Sequence, residues 1–154
     1  MSKTIYTPLH CHSHFSLLDG LPTPDQIVKR AKEIGCKATA ITDHGNLGGI
    51  IQLHQSCKKN GIKPITGIEI YVSKQHPSIK NSENRKPYHL TIIAKNNKGI
   101  NSLIKLVSES NRPDYFYYKP RLSIELIKEF TQSKELICLS GCIGGELSQC
   151  LFDN

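Results

Sequence analysis

Five short apolar runs, separated by stretches of helical periodicity, set the first constraint on what this chain can fold into. They are 5–12 (IYTPLHCH), 37–42 (KATAIT), 63–72 (KPITGIEIYV), 88–94 (YHLTIIA) and 136–140 (LICLS). Each has strand length and is too short for a buried helix. Between them stand helix signals. Thr23 reads as an N-cap, Pro24 as the first helical residue, and Gln26 closes a capping box. Ile27, Ala31 and Ile34 then recur at helical spacing until Gly35. A second helix is predicted over 47–59, closed by Asn60-Gly61. Asn97 is predicted to cap a third running to about Asn111, Ser123 a short fourth to Phe130, and Glu146 opens a last one to Leu151. The polar stretch 73–87 and the aromatic-basic cluster 115–121 read as loops. Strands that alternate with helices predict an α/β fold, a parallel sheet or barrel of β-α units. Sites in such folds gather at the carboxyl ends of the strands.

At 154 residues the chain is one domain, or a piece of one. Its 38% hydrophobic and 21% charged content is that of a globular protein. No apolar run approaches the roughly 18 residues of a membrane span. The first residues lack the apolar core of a signal peptide, so no membrane association and a cytoplasmic location are expected. The net charge of +7 favours polyanionic partners such as nucleic acid, although the basic residues are scattered. None of the six cysteines forms a C-x-x-C pair, so reduced thiols are expected rather than a disulfide framework. There is no phosphate-binding P-loop, no Gly-rich dinucleotide fingerprint and no nucleophile elbow.

What remains is metal chemistry. The stretch Leu9 to Gly20, LHCHSHFSLLDG, holds three histidines and an aspartate. On a strand, His10 and His12 point to one face and Cys11 to the other. Two imidazoles with Asp19 nearby can bind a transition metal; solvated histidines at a polar strand end are the plain alternative. Asp43 and His44 follow the second run, Glu69 stands toward the end of the third, and Cys142 follows the fifth. His89 is the exception. It begins the fourth run, the wrong end in a parallel barrel, and a half-buried strand histidine is an equal reading there. This mixed donor set suits zinc, manganese or iron better than calcium. A bridging carboxylate such as Glu69 allows a multinuclear centre, and such centres hydrolyse phosphoesters.

The segments LHCHSHFSLLDG, AITDHGNLGG, CKKNGIKPITGIEIYV, YHLTIIAKNNKG, FYYKPRL and LSGCIGGEL occur in this order across nearly the whole chain. Together they resemble the PHP (polymerase and histidinol phosphatase) domain found at the N-terminus of bacterial DNA polymerase III alpha subunits. The resemblance implies a distorted seven-stranded, TIM-like β/α barrel, here truncated to about five β-α units. It implies a cleft holding up to three divalent metals, with phosphoesterase or 3′–5′ exonuclease activity in some members. Matched by motif, His10, His12, Asp19, His44, Glu69, His89 and Cys142 become metal ligands, with His10, His12, His44 and Glu69 carrying catalysis through the metal. The match decides His89 in favour of ligation. Asp43 is expected to orient a ligand, and Arg121 to contact phosphate or brace the barrel. His14, His54 and His76 match no family ligand. The aromatic cluster before Arg121 stacks on bases, packs internally or contacts a subunit.

The resemblance further implies that 1–154 is the N-terminal portion of such a domain. Two later ligands, an aspartate and a histidine, lie beyond it in the family, as do the polymerase domains, so no DNA polymerisation is expected. A fragment, a split gene and a stand-alone protein are all compatible with this. The implied function is phosphoester hydrolysis or exonuclease proofreading during DNA replication, with DNA 3′ ends and the remainder of a polymerase subunit as partners. A non-catalytic module that stabilises the polymerase or docks a partner is the second reading. A small-molecule phosphatase is the third.

Overall fold

The computed structural model describes residues 6–131 and 134–152. In chain order the elements are α1 (Pro24–Glu33), β1 (Ala38–Ile41), α2 (Ile50–Asn60), β2 (Lys63–Val72), β3 (Tyr88–Ala94), α3 (Asn97–Ser110), β4 (Phe116–Tyr117), β5 (Lys119–Leu122), α4 (Ile124–Thr131), β6 (Leu136–Leu139) and α5 (Glu146–Phe152). The fold is α/β, as predicted. One sheet runs β4-β5-β2-β3-β6, and β1 pairs with the first half of β2.

The two faces of β2 divide the molecule. Side chains alternate along a strand, so Ile68, Ile70 and Val72 share one face. With Ile92, Leu103, Leu106, Leu122 and Ile127 they form the larger core. Glu69 and Tyr71 share the other face, and their cross-strand neighbours on β3 are Thr91 and His89. A smaller core joins Val28 of α1 and Ile41 of β1 to Leu53 and Cys57 of α2. Gly67 permits the close pairing of β2 and β3. A Cβ there would lie 2.9 Å from the Ile92 carbonyl oxygen and 2.8 Å from the Thr42 methyl.

The expected all-parallel arrangement is corrected. β2 is parallel to β1 and β5, but β3 is antiparallel to β2, and β6 to β3. The reason lies in the connection. A parallel crossover needs a helix or a comparable span across the sheet face, whereas residues 73–87 hold only the short turn Glu83–Arg85. They fold back on themselves instead. Asn84, fully buried, donates to the carbonyls of His76 and Ile79 and accepts from the Gln75 N–H. The reversal brings the start of β3 to the carboxyl end of β2.

The predicted first strand is the second correction. Residue 5 lies outside the described residues, and 6–12 form no regular strand. Ala40 and Thr42 donate to the carbonyls of Pro8 and Cys11, so the segment runs beside β1. Pro8 has no N–H to return, and the Cys11 N–H goes to the Thr42 hydroxyl instead. The ladder is therefore half made. Third, the stretch read as an aromatic loop contains the hairpin β4–β5, with Tyr118 at its apex.

The helices follow their signals closely. The Thr23–Gln26 capping box forms as predicted, and Leu126 N–H donates to the Ser123 hydroxyl at the start of α4. The buried stripe of α1 is Pro24, Val28 and Ala31, so Ile34 is left exposed. Asn96, not Asn97, caps α3 by accepting from Gly99 N–H. α2 begins at Ile50, three residues later than expected, because Asn46 accepts the Gly48 N–H and holds a turn there. Replacing Thr23 by Ala should cost about 1 kcal/mol, and replacing the fully buried Leu103 by Ala about 2–5 kcal/mol. Urea unfolding of both variants checks the ranking.

Candidate metal centre

Local chemistry builds the first ligand loop. Ser16 N–H donates to the Ser13 carbonyl, and Asp19 and Gly20 N–H both return to Ser16. Leu18 takes a left-handed backbone, φ 69°, which turns Asp19 back toward His12 and His44. Gly20 closes the loop, since a Cβ there would stand 2.0 Å from the Ser13 carbonyl oxygen. Asp43, only 1% exposed, locks the loop to the end of β1. Its carboxylate accepts from Ser13 N–H at 2.6 Å and from the hydroxyls of Ser13 and Ser16, each at 2.7 Å. Ser16 Oγ in turn accepts from His44 N–H at 3.1 Å and stands 3.4 Å from His12 Nδ1.

Glu69 is the centre of the cluster. Its carboxylate, 1% exposed, meets four imidazoles: His10 Nε2, His12 Nε2 at 3.4 Å, His44 Nδ1 at 3.2 Å and His89 Nδ1. Asp19 Oδ2 lies 2.9 Å from His44 Nε2 and 3.8 Å from His12 Nε2. Three overlapping groups of metal-competent atoms result: His10, His12 and Glu69; His12, Asp19 and His44; and His44, Glu69 and His89. Within each group the donor atoms lie within 4.8 Å of one another.

Donor chemistry tests whether these residues fit a metal. Glu69 Oε1 is buried against two imidazole nitrogens, His44 Nδ1 at 3.2 Å and His89 Nδ1, and among the described residues neither Oε1 nor His44 Nδ1 has a partner in hydrogen-bond geometry. Buried donor atoms crowded together without well-formed hydrogen bonds are costly, and a divalent cation among them removes that cost. Imidazole and carboxylate donors in overlapping sets fit zinc-like and manganese-like ions. The residues fit.

The electrostatics agree. Burial raises the Glu69 carboxyl, but the approach of His12, His44 and His89 outweighs it and holds the group far below the usual carboxylate range. The Glu69 carboxylate, opposed by burial and helped by Asp19, holds the His44 imidazole above its ordinary value. Burial, with the charges of Glu69 and Asp19, pushes the Tyr71 phenol up to about 12.

The family model of the PHP domain matches residues 8–154. The chain belongs to the PHP family. It is 40% identical over 154 residues to a DNA polymerase III subunit alpha of Borreliella burgdorferi, covering 99% of this chain and 13% of that protein. It is 41% identical over 152 residues to its counterpart in Aquifex aeolicus, covering 94% of this chain and 13% of that one. The chain thus spans about an eighth of the length of these relatives. A solved two-domain protein of Bacteroides vulgatus, containing a predicted PHP-like metal-dependent phosphoesterase, is 21% identical with a TM-score of 0.47, over 72% of this chain and 29% of that one.

The structure brings six of the seven candidate ligands into the three groups. Cys142 stands beside them: its Sγ lies 3.7 Å from His89 Nδ1 and accepts from Gly144 N–H. His89, the exception in the sequence, joins because β3 runs antiparallel to β2. Arg121 is fully buried and donates to the carbonyls of Asn84 and Tyr117, bracing the 73–87 loop against the hairpin. His54 pairs with the Thr66 hydroxyl and His76 with that of Ser78, both outside the three groups. Sequence reading missed Ser13 and Ser16, which carry Asp43's hold on the loop. It also missed Tyr71, whose ring stacks on His44 at 5.8 Å and meets His89 edge-on. The signal for Tyr71 was its spacing of two from Glu69 on one strand.

The pH dependence of the metal-free protein follows from these shifts. Glu69 sits below its ordinary value of 4.5, so its contribution to stability is present above pH 4.5 and lost as pH falls through the depressed value. His44 sits above its ordinary 6.5, so its contribution is full below pH 6.5 and lost as pH rises through the raised value. Urea unfolding in chelator should show the cluster's full contribution between these two values, and Glu69→Gln should flatten the profile. An unchanged profile in Glu69→Gln would contradict the assignment.

Proposed function

We propose that this chain is the metal-binding PHP portion of a DNA polymerase III alpha-type subunit, and that its centre hydrolyses phosphoesters at DNA 3′ ends. The observation that carries the reading is the convergence of four imidazoles on the buried Glu69 carboxylate. In this reading His10, His12, Asp19, His44, Glu69 and His89 are ligands, and Cys142 completes the set beside His89. Asp43 orients His12 and His44 through Ser16. Arg121 is a brace, since two backbone carbonyls occupy its guanidinium.

Divalent ions bound there, zinc or manganese by donor type with iron as a further candidate, supply Lewis acidity toward phosphoryl oxygens and lower the pKa of water. The chain's own residues set the conditions for that chemistry. Glu69 shares its charge among the surrounding imidazoles, which keep it ionised, and burial holds it in place. Asp19, about half exposed, stands at the solvent side where a substrate would enter. Tyr71 stays protonated at neutral pH behind His44, so it walls the centre without adding charge. The partners in this reading are a DNA 3′ end and the rest of a replicative polymerase, and the compartment is the cytoplasm. Among the described residues no helix is long and apolar enough to cross a membrane.

The test is hydrolysis of a 3′-labelled single strand by purified protein supplied with zinc or manganese. His10→Ala and His12→Ala should each lower the rate roughly a hundredfold or more, the order expected when a charge-stabilising group leaves an active site, with the fold retained by circular dichroism. Equal rates in parent and variants would overturn the reading. Metal retention without any hydrolysis would leave a structural module of the polymerase. Hydrolysis of phosphomonoesters alone would leave a small-molecule phosphatase.

A further inference from the structure

The β4–β5 hairpin leans over the centre. A Cβ on Gly45, the residue after His44, would meet the Pro120 Cγ at 2.9 Å. Lys119 Nζ stands 4.4 Å from the centroid of the Tyr71 ring, on the ring that stacks against His44. One exposed ammonium is therefore held a single ring away from the ligands.

The neighbouring residue is the hairpin apex. Tyr117 pairs with Lys119 across the hairpin, leaving Tyr118 between them with φ 63°. A left-handed backbone is unfavourable for a bulky residue, and this ring is not repaid by burial, since Tyr118 is 65% exposed. Two partners hold it out from the surface. The Arg85 guanidinium lies 4.9 Å from its centroid, and the Tyr117 ring lies 4.7 Å away. Strain that exposes an aromatic ring beside a fixed cation, one residue before a lysine held against Tyr71, is the pattern of a stacking platform. Bases stack on such rings only when unpaired, and a neighbouring cation takes the backbone phosphate. The net charge of +7 attracts the same polyanion.

We propose that the β4–β5 hairpin is a clamp for single-stranded nucleic acid, in which Tyr118, backed by Arg85, stacks an unpaired base and Lys119 binds an adjacent backbone phosphate. The clamp rests on the reading of the centre as one that acts on DNA ends, and it holds the strand that the centre would cut. Lys119 and Tyr118 are positioning residues, not ligands.

Fluorescence anisotropy of a labelled oligothymidylate strand, in chelator, tests the clamp without turnover. Tyr118→Ala should weaken binding about tenfold, and Tyr118→Phe should restore it. Lys119→Met should make the dependence of log affinity on log salt shallower by about 0.7, one phosphate contact on a single strand. Lys105→Met, at an exposed position on α3, matches the charge change and should keep both the affinity and the slope. Parent affinity in Tyr118→Ala, equal losses in Lys119→Met and Lys105→Met, or equally tight binding of a duplex would each overturn the clamp. Hydrolysis that depends on His10 and His12, with unchanged strand binding in Tyr118→Ala, would uphold the centre and overturn the clamp. Strand binding that depends on Tyr118, with no hydrolysis in any condition, would uphold the clamp and overturn the catalytic reading.

Discussion

Everything at this site depends on one buried carboxylate. Glu69 is among the largest fully buried side chains of the protein, and it is acidic. An ionised carboxylate in the interior is tolerated only when paired. Here the pairing comes from histidines on three separated stretches of chain, the 9–20 loop, the turn after β1 and the start of β3. The carboxylate is thus a cross-link between elements distant in sequence, and it is shared by two of the three groups of metal-competent atoms. Asp43 has the complementary role, one layer further from the ligands. Its three short hydrogen bonds fix Ser13 and Ser16, and Ser16 contacts both His12 and His44.

Strand direction delivers these groups to one place. β1 and β2 are parallel, so the turn at His44 and the acid at Glu69 fall together, joined by a single bridge between those two residues. β3 then reverses, and its first residues return to the same end. β6 reverses again, which carries Cys142 beside His89. A mixed sheet gathers these side chains as well as a parallel one, provided each reversal falls where a candidate ligand must change ends.

Much of this is legible in the sequence. The strand at 88–94 and the capping box at Thr23 follow from local signals: a β-branched apolar run, a hydroxyl followed by an amide. The candidate ligands stand out because histidine and acid at strand ends are chemically conspicuous. What is not legible is long-range. The sense of β3 depends on whether 73–87 folds back or crosses over, and that depends on Asn84, buried by contacts no periodicity reveals. The segment 6–12 reads as a strand by pattern, yet its pairing fails where Pro8 lacks a donor and Thr42 offers a hydroxyl. The hairpin at 116–122 is obscured because its strands are short and its apex is a tyrosine in a backbone conformation that usually signals glycine.

Whether Glu69 organises a metal centre is decided by metal content. Elemental analysis of purified protein should find more than one equivalent of divalent metal per chain, with Glu69→Gln losing most of it and His14→Ala, outside the three groups, losing none. Equal metal content in the parent and in Glu69→Gln would mean that the shared carboxylate does not organise a metal centre.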